Sequence, residues 1–174
     1  MGRYIYTEKF TLIPKEAYTP QLGREALEQQ FHIGTEDHID TCDVCEADAV
    51  AVYCAPGAGC NASDVEKPLP LAAGMMQVVC GAEEFNKVAF HYSRERGFAH
   101  IIIYAGKELK LANAFKVDSY ESALYFLFLS IKRLQMNPQQ CVITICWDIE
   151  AAQREIAEKF FKGTQVINLE TDLI

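Results

Sequence analysis

Two cysteines, Cys42 and Cys45, have the Cys-x-x-Cys spacing with which many proteins bind zinc. A tetrahedral zinc site needs a second close pair of ligands, and the cysteines that follow, Cys54 and Cys60, do not form one. Cys54 also lies in an apolar run, where a thiol behaves as a small hydrophobic side chain. The acidic residues beside the first pair disfavour the thiolate that a thioredoxin-like redox centre needs. We therefore expect structural cysteines, with zinc at Cys42 and Cys45 as the weaker alternative.

A second group of candidate residues, Ser93, Arg94 and Arg96, stands just before Gly97 on a predicted tight turn. Guanidinium groups and a hydroxyl are suited to contacting phosphate. The competing interpretation is that the arginines, with Glu95 between them, are solvated turn charges, and it is favoured because turns are usually polar. These residues are therefore predicted to bind a cofactor only if a nucleotide is bound.

The elements around this turn form the strongest pattern in the chain. Three strands are predicted over Lys87–Ser93, Phe98–Tyr104 and Glu108–Val117, with glycine at both turns. The elements predicted to follow are a helix from Tyr120 to about Met136, a strand over Cys141–Trp147, a helix over Ile149–Phe161 and a strand over Thr164–Leu169. The order β-β-β-α-β-α-β predicts an α/β fold with a mixed sheet, in the ribonuclease-H-like layout that actin-like ATPases use twice.

The first half of the chain has a less regular pattern. It is predicted to contain short strands, two helices and a polar loop: strands over Tyr4–Tyr6, Phe10–Ile13 and Ala49–Cys54, helices from Pro20 to about Phe31 and over Leu71–Val79, and a loop over Ala58–Lys67. No opening three-strand meander is evident. We therefore predict two domains, a partial or divergent α/β module over residues 1–85 that packs on a ribonuclease-H/actin-like module over residues 86–174.

Composition narrows the possible partners. The chain has 174 residues, half of them hydrophobic, and a net charge of −8, which argues against nucleic acid as a partner. Its longest apolar run, Ala123–Ile131, is too short to span a bilayer, and no signal peptide is evident. An odd number of cysteines, seven, fits a reducing compartment. We expect a cytoplasmic protein with an unknown protein partner, present as a monomer or, through an uncovered sheet edge, a homodimer.

Three segments carry a resemblance to a known family: Phe10–Pro14 (FTLIP), Lys110–Phe115 (KLANAF) and the aromatic run at Leu124–Phe126. With these residues the chain resembles a family of uncharacterised Bacteroidetes proteins that have an actin-like ATPase fold, as a short or N-terminally truncated member. The resemblance covers nearly the whole chain and implies the fold. It implies no catalytic residue, because no activity is established for the family.

The resemblance to actin-like ATPases also implies which residues a functional phosphate-binding site would contain. Such ATPases place an aspartate near the end of the first strand to orient hydrated Mg²⁺, followed by glycine and a small hydroxyl residue. Here His91 or a neighbour occupies the aspartate position, and no Gly-Thr or Gly-Ser pair follows. The expectation is therefore a non-catalytic binding or scaffolding module without a cofactor, with a divergent nucleotide-binding protein or ATPase using ATP and magnesium as the alternative.

Nuclease chemistry of the ribonuclease-H type would require several carboxylates converging on two metal ions. Asp148 follows the predicted strand Cys141–Trp147, at a position where such folds often carry a carboxylate, but a first-strand carboxylate is missing. Asp148 is instead predicted to be the N-cap of the helix that begins at Ile149. No catalytic residue is predicted.

Overall fold

The structure, a computed structural model, describes residues 4–56 and 68–169. The chain divides into two compact units, Met1–Gly74 and Met75–Ile174. The boundary between them falls within a helix, upstream of the position 85/86 at which the sequence pattern changes. The predicted loop over Ala58–Lys67, which includes Cys60, lies outside the described residues.

The second unit is built on a five-stranded mixed sheet. Its strands are β6 (Asn86–Ser93), β7 (Phe98–Ala105), β8 (Glu108–Lys116), β9 (Cys141–Ile145) and β10 (Gly163–Val166), and its helices are α3 (Tyr120–Arg133) and α4 (Ala151–Phe160). The strand order is β10-β9-β6-β7-β8. The first three strands pair antiparallel, β9 runs parallel to β6, and β10 runs parallel to β9. The predicted order β-β-β-α-β-α-β is therefore confirmed.

Alternation of side chains across the central strands produces the core of this unit. One face of β6 and β7 contributes fully buried residues such as Val88, Phe90 and Ile101, which pack with Leu127 of α3 and Ile143 of β9. The opposite face of these strands is buried as well. This two-sided burial explains why the central strands read as continuous apolar runs.

Helix α3 begins where its sequence predicts. Ser119 is the N-cap, and its hydroxyl accepts a hydrogen bond from the backbone N–H of Ser122. Asp118 accepts a hydrogen bond from the Ser122 hydroxyl at 2.6 Å.

The prediction for Asp148 is wrong. Helix α4 begins at Ala151, and its N-cap is Glu150, which makes no side-chain capping bond. The chain remains non-helical through this stretch because Trp147 and Ile149 are half-buried against the core of the unit. Burial of these two side chains delays the helix beyond the position that capping preference alone favours.

The first unit contains a three-stranded antiparallel sheet of order β2-β4-β3 and a helix that packs on it. Its elements, with those that follow in chain order up to β6, are β1 (Tyr4–Ile5), β2 (Phe10–Pro14), α1 (Pro20–Gln30), β3 (Asp37–Val44), β4 (Ala49–Pro56), β5 (Leu69–Pro70) and α2 (Leu71–Cys80). Leu27 of α1 is fully buried beside Ile13 and Val52. Thr19 is the N-cap of α1, and its hydroxyl accepts a hydrogen bond from the N–H of Leu22.

Within the residues that the structure describes, no helix has the length and apolar character needed to cross a bilayer.

Candidate functional site

The candidate site is the turn between β6 and β7, together with the end of the strand that precedes it. The turn is closed by a hydrogen bond from the N–H of Gly97 to the carbonyl of Ser93, 3.0 Å long. The Ser93 hydroxyl lies 3.4 Å from the N–H of Arg96, and the Gly97 carbonyl accepts a hydrogen bond from Val117. The amides of Arg96 and Gly97 thus already have acceptors within the protein.

Glycine is required in this turn by the backbone rather than by space. Gly97 has φ of +70°, in the left-handed region, while a Cβ placed on it would meet its nearest neighbour only at 3.6 Å. The glycine therefore serves to close the hairpin. A glycine that served a phosphate loop would instead leave its N–H directed at a ligand.

The three predicted phosphate-contacting residues, Ser93, Arg94 and Arg96, are all placed on this one turn. Ser93 is half-buried, and both arginines are exposed to solvent. Glu95 is exposed between them, so the local charge is mixed.

His91 occupies the position near the end of the first strand. It is only 4% exposed and lies opposite His100 of β7, with 6.0 Å between the ring centroids. The ring of Trp147, which follows β9, packs edge-to-face against the His91 ring, also with 6.0 Å between the centroids. Burial, reinforced by the nearby charges of His100 and Arg96, lowers the pKa of His91 to about 3. At neutral pH the position therefore holds a neutral imidazole.

This arrangement does not fit a nucleotide with its Mg²⁺. A hydrated Mg²⁺ is bound through carboxylate oxygens. The residue in the corresponding position is a buried, neutral histidine, and the amides of Arg96 and Gly97 are bonded internally. Asp148 follows β9 and is exposed. Over the ranges 4–56 and 68–169, no three His, Cys, Asp or Glu side chains are grouped in a way that could hold a metal ion.

The cysteine pair lies in the first unit. Cys42 is half-buried on β3, and Cys45 is exposed in the 3-10 turn that follows that strand. Three of the other described cysteines are buried: Cys54 on β4, Cys141 on β9 and Cys146 directly after β9. Burial raises the pKa of Cys54 and of Cys141, and raises that of Cys146 to about 12. Thiols with raised pKa are poor nucleophiles and poor metal ligands at neutral pH.

A shallow surface depression of about 440 Å³ lies at the end of α1, lined by residues 28–33. All of its walls come from one continuous segment. Groups from different elements do not converge there, as they do in a ligand site.

The sequence predicts an uncovered sheet edge as a possible dimer contact, but it does not identify the strand that forms this edge. Strand β8 forms one of the two edges of the five-stranded sheet, and its Asn113 side chain accepts a hydrogen bond from the backbone N–H of Ala114. The only sequence signal for it is the KLANAF segment, whose alternation of small, polar and apolar residues is typical of an edge strand.

The mixed sheet, its strand order and its helices define an α/β protein with an actin-like ATPase fold. A crystal structure from Bacteroides thetaiotaomicron, described as a protein with actin-like ATPase fold and unknown function, matches with a TM-score of 0.73. The match covers 96% of this chain and 68% of that one at 13% sequence identity, a level at which likeness concerns the fold alone.

The chain belongs to the family described as "Protein of unknown function (DUF3822)", whose model matches residues 69–162, just over half of the chain. The matched residues contain the three-strand meander, α3, β9 and α4. No curated protein matches the sequence.

Proposed function

We propose that the chain is a non-catalytic binding or scaffolding module that works with a protein partner in the cytoplasm. One observation carries this proposal: the position at the end of the first strand, where a nucleotide-binding relative needs a carboxylate, holds His91 in a buried and neutral state. The hairpin that follows supports it, because its Gly97 amide closes the turn instead of pointing outward.

Isothermal titration with Mg-ATP tests the proposal directly. We expect no heat of binding at nucleotide concentrations that would reveal micromolar affinity, and no release of phosphate. Low-micromolar binding together with measurable turnover would refute the proposal.

The alternative is a divergent nucleotide-binding protein, and the placement of Ser93, Arg94 and Arg96 on one turn is the observation that favours it. It requires that replacing both arginines by alanine weakens ATP binding, by about tenfold or more for two lost charge contacts. Arg24→Ala and Arg154→Ala form a matched control, since these arginines are also exposed and lie on helices elsewhere.

Zinc at Cys42 and Cys45 is tested separately. Elemental analysis of protein purified without added metal should find zinc far below one equivalent.

A further inference from the structure

The outer edge of β8 carries backbone groups that β7 does not use. The N–H of Val117 donates to the carbonyl of Gly97 at 2.9 Å, which fixes the hydrogen-bonding phase between these neighbouring strands. Residues two apart on a strand direct their backbone groups to the same side. The backbone N–H and C=O groups of Asn113 and Phe115 therefore point towards β7, like those of Val117. The residues that alternate with them along the strand direct their N–H groups away from β7: Ala112, Ala114 and Lys116.

One of these outward donors shows its direction independently. The N–H of Ala114 donates to the side-chain oxygen of its neighbour Asn113, with a distance of 2.9 Å. An amide bonded to β7 would have no need of this local acceptor. The carboxamide therefore stands in for the acceptor that an adjacent strand would supply, and it can rotate away when one arrives.

The two sides of this edge differ in chemistry. On the side of α3, Phe115 stacks on Phe126, with 4.8 Å between the centroids and 14° between the planes. Tyr125 extends this aromatic surface and is 62% exposed. On the other side the edge is lined by the small residues Ala112 and Ala114 and by the exposed Lys116.

Charge selects among the possible strands that could pair here. The hairpin and edge carry Lys107, Lys110 and Lys116 against one acidic residue, Glu108, in a chain whose net charge is −8. Glu108 is paired with Lys110 at 2.6 Å, which leaves the other two lysines to interact with a ligand. Antiparallel pairing with a second copy of β8 would bring these same lysines together, whereas an acidic strand would be attracted to them.

We propose that the outer edge of β8 binds an extended segment of a partner protein, in which apolar residues alternate with acidic ones. The segment adds a sixth strand to the sheet, with its apolar side chains on Phe115, Phe126 and Tyr125 and its carboxylates towards Lys116. Main-chain hydrogen bonds to the outward amides supply affinity, and the alternation supplies specificity. This inference rests on the proposed function as a binding module and specifies the chemistry of the segment that its partner contributes.

The test uses the full chain and a fluorescein-labelled nonapeptide of alternating valine and glutamate, followed by fluorescence anisotropy. Two peptides serve as controls, one with lysine in place of glutamate and one with N-methyl groups on alternate backbone amides. We expect saturable binding of the valine–glutamate peptide and of neither control.

Three variants locate the site. Lys116→Glu should weaken binding by about tenfold, the effect of reversing one nearby charge. Ala114→Pro should abolish binding because it removes an outward donor without removing a bond to β7. Asn113→Ala, which removes the competing side-chain acceptor, should tighten binding by a few fold. Thermal unfolding checks that each variant is folded, and Lys116→Glu and the N-methylated peptide still decide the matter if Ala114→Pro does not fold.

Several outcomes would overturn the inference: no binding of the valine–glutamate peptide, equal binding of the N-methylated peptide, or undiminished binding to Lys116→Glu. A dimer detected by light scattering that dissociates in Ala114→Pro would assign the edge to a second copy instead. Failure here is distinguishable from failure of the proposed function, since only the latter is decided by Mg-ATP titration.

Discussion

His91 and His100 face each other across β6 and β7, both buried, with their ring centroids 6.0 Å apart. Neither strand places a carboxylate at this pair. Burial keeps the His91 imidazole uncharged at neutral pH, at the position where an actin-like nucleotide site would carry a carboxylate. Two consequences follow for the stability of the protein and for its capacity to acquire a cation site.

The first prediction is that stability falls as the pH is lowered from neutrality, and that His91 contributes to the fall. The pKa of His91 is about 3 in the folded chain and about 6.5 in the unfolded chain. Between these two pH values the unfolded state therefore binds a proton that the folded state does not bind. The free energy of unfolding should drop by up to about 1.4 kcal/mol per pH unit from this residue, between pH 6.5 and pH 3. Urea unfolding at pH 7.5 and pH 5 measures the drop.

His91→Phe and His91→Gln provide the comparison, because neither replacement titrates in this range. Both variants should lose about 2 kcal/mol less than the wild type between those two pH values. Equal pH dependence in the wild type and the variants would contradict the assignment.

The second prediction is that the missing carboxylate cannot simply be restored. His91→Asp should be less stable than His91→Asn at pH 7 by at least about 2 kcal/mol, because burial at this position disfavours the charged carboxylate. The gap should narrow at pH 5, where the aspartate can be protonated and resembles asparagine. Thermal unfolding of both variants with and without Mg²⁺ is the measurement, and a Mg²⁺-dependent rise in the Tm of His91→Asp alone would show that a cation site is latent there.

The central sheet was predictable because its signals are local. Gly97 and Gly106, at φ of +70° and +61°, mark the two hairpin turns, and β7, the strand between them, is buried on both faces. Strand β3 (Asp37–Val44) was not predicted, since Val44 is its only buried residue and the other seven positions are half-buried or exposed. A strand whose pairing is supplied by its neighbour, here β4, leaves little hydrophobic alternation in the sequence.

The features of the candidate partner-binding edge depend on tertiary structure. The pairing of β7 with β8 shifts register between Ile103 and Tyr104. No glycine or proline at these two positions indicates this bulge in the sequence. Whether Asn113 caps a backbone amide depends on which strand forms the edge of the sheet, and strand order is a property of the whole unit. The same limit applies to His91, whose burial follows from both sheet faces being covered.

The last prediction concerns Lys87, a buried lysine at the start of β6 that is only 4% exposed. Its ammonium donates hydrogen bonds to the carbonyls of Cys80 at 3.1 Å and Ala82 at 2.9 Å, at the C-terminal end of α2. A cation at this end of a helix also interacts favourably with the helix dipole. Lys87 thus attaches the end of α2 to the central strand of the sheet.

Replacing Lys87 by methionine keeps the length of the side chain and removes both hydrogen bonds, leaving two carbonyls without their donor. The free energy of unfolding should fall by about 2 to 4 kcal/mol, given the strength of hydrogen bonds from charged groups. Lys107→Met is the matched control, because Lys107 is exposed in the turn before β8 and should change stability by less than about 0.5 kcal/mol. Urea denaturation of both variants decides the question: a loss in Lys87→Met no larger than that in the control would mean that these hydrogen bonds do not stabilise the unit.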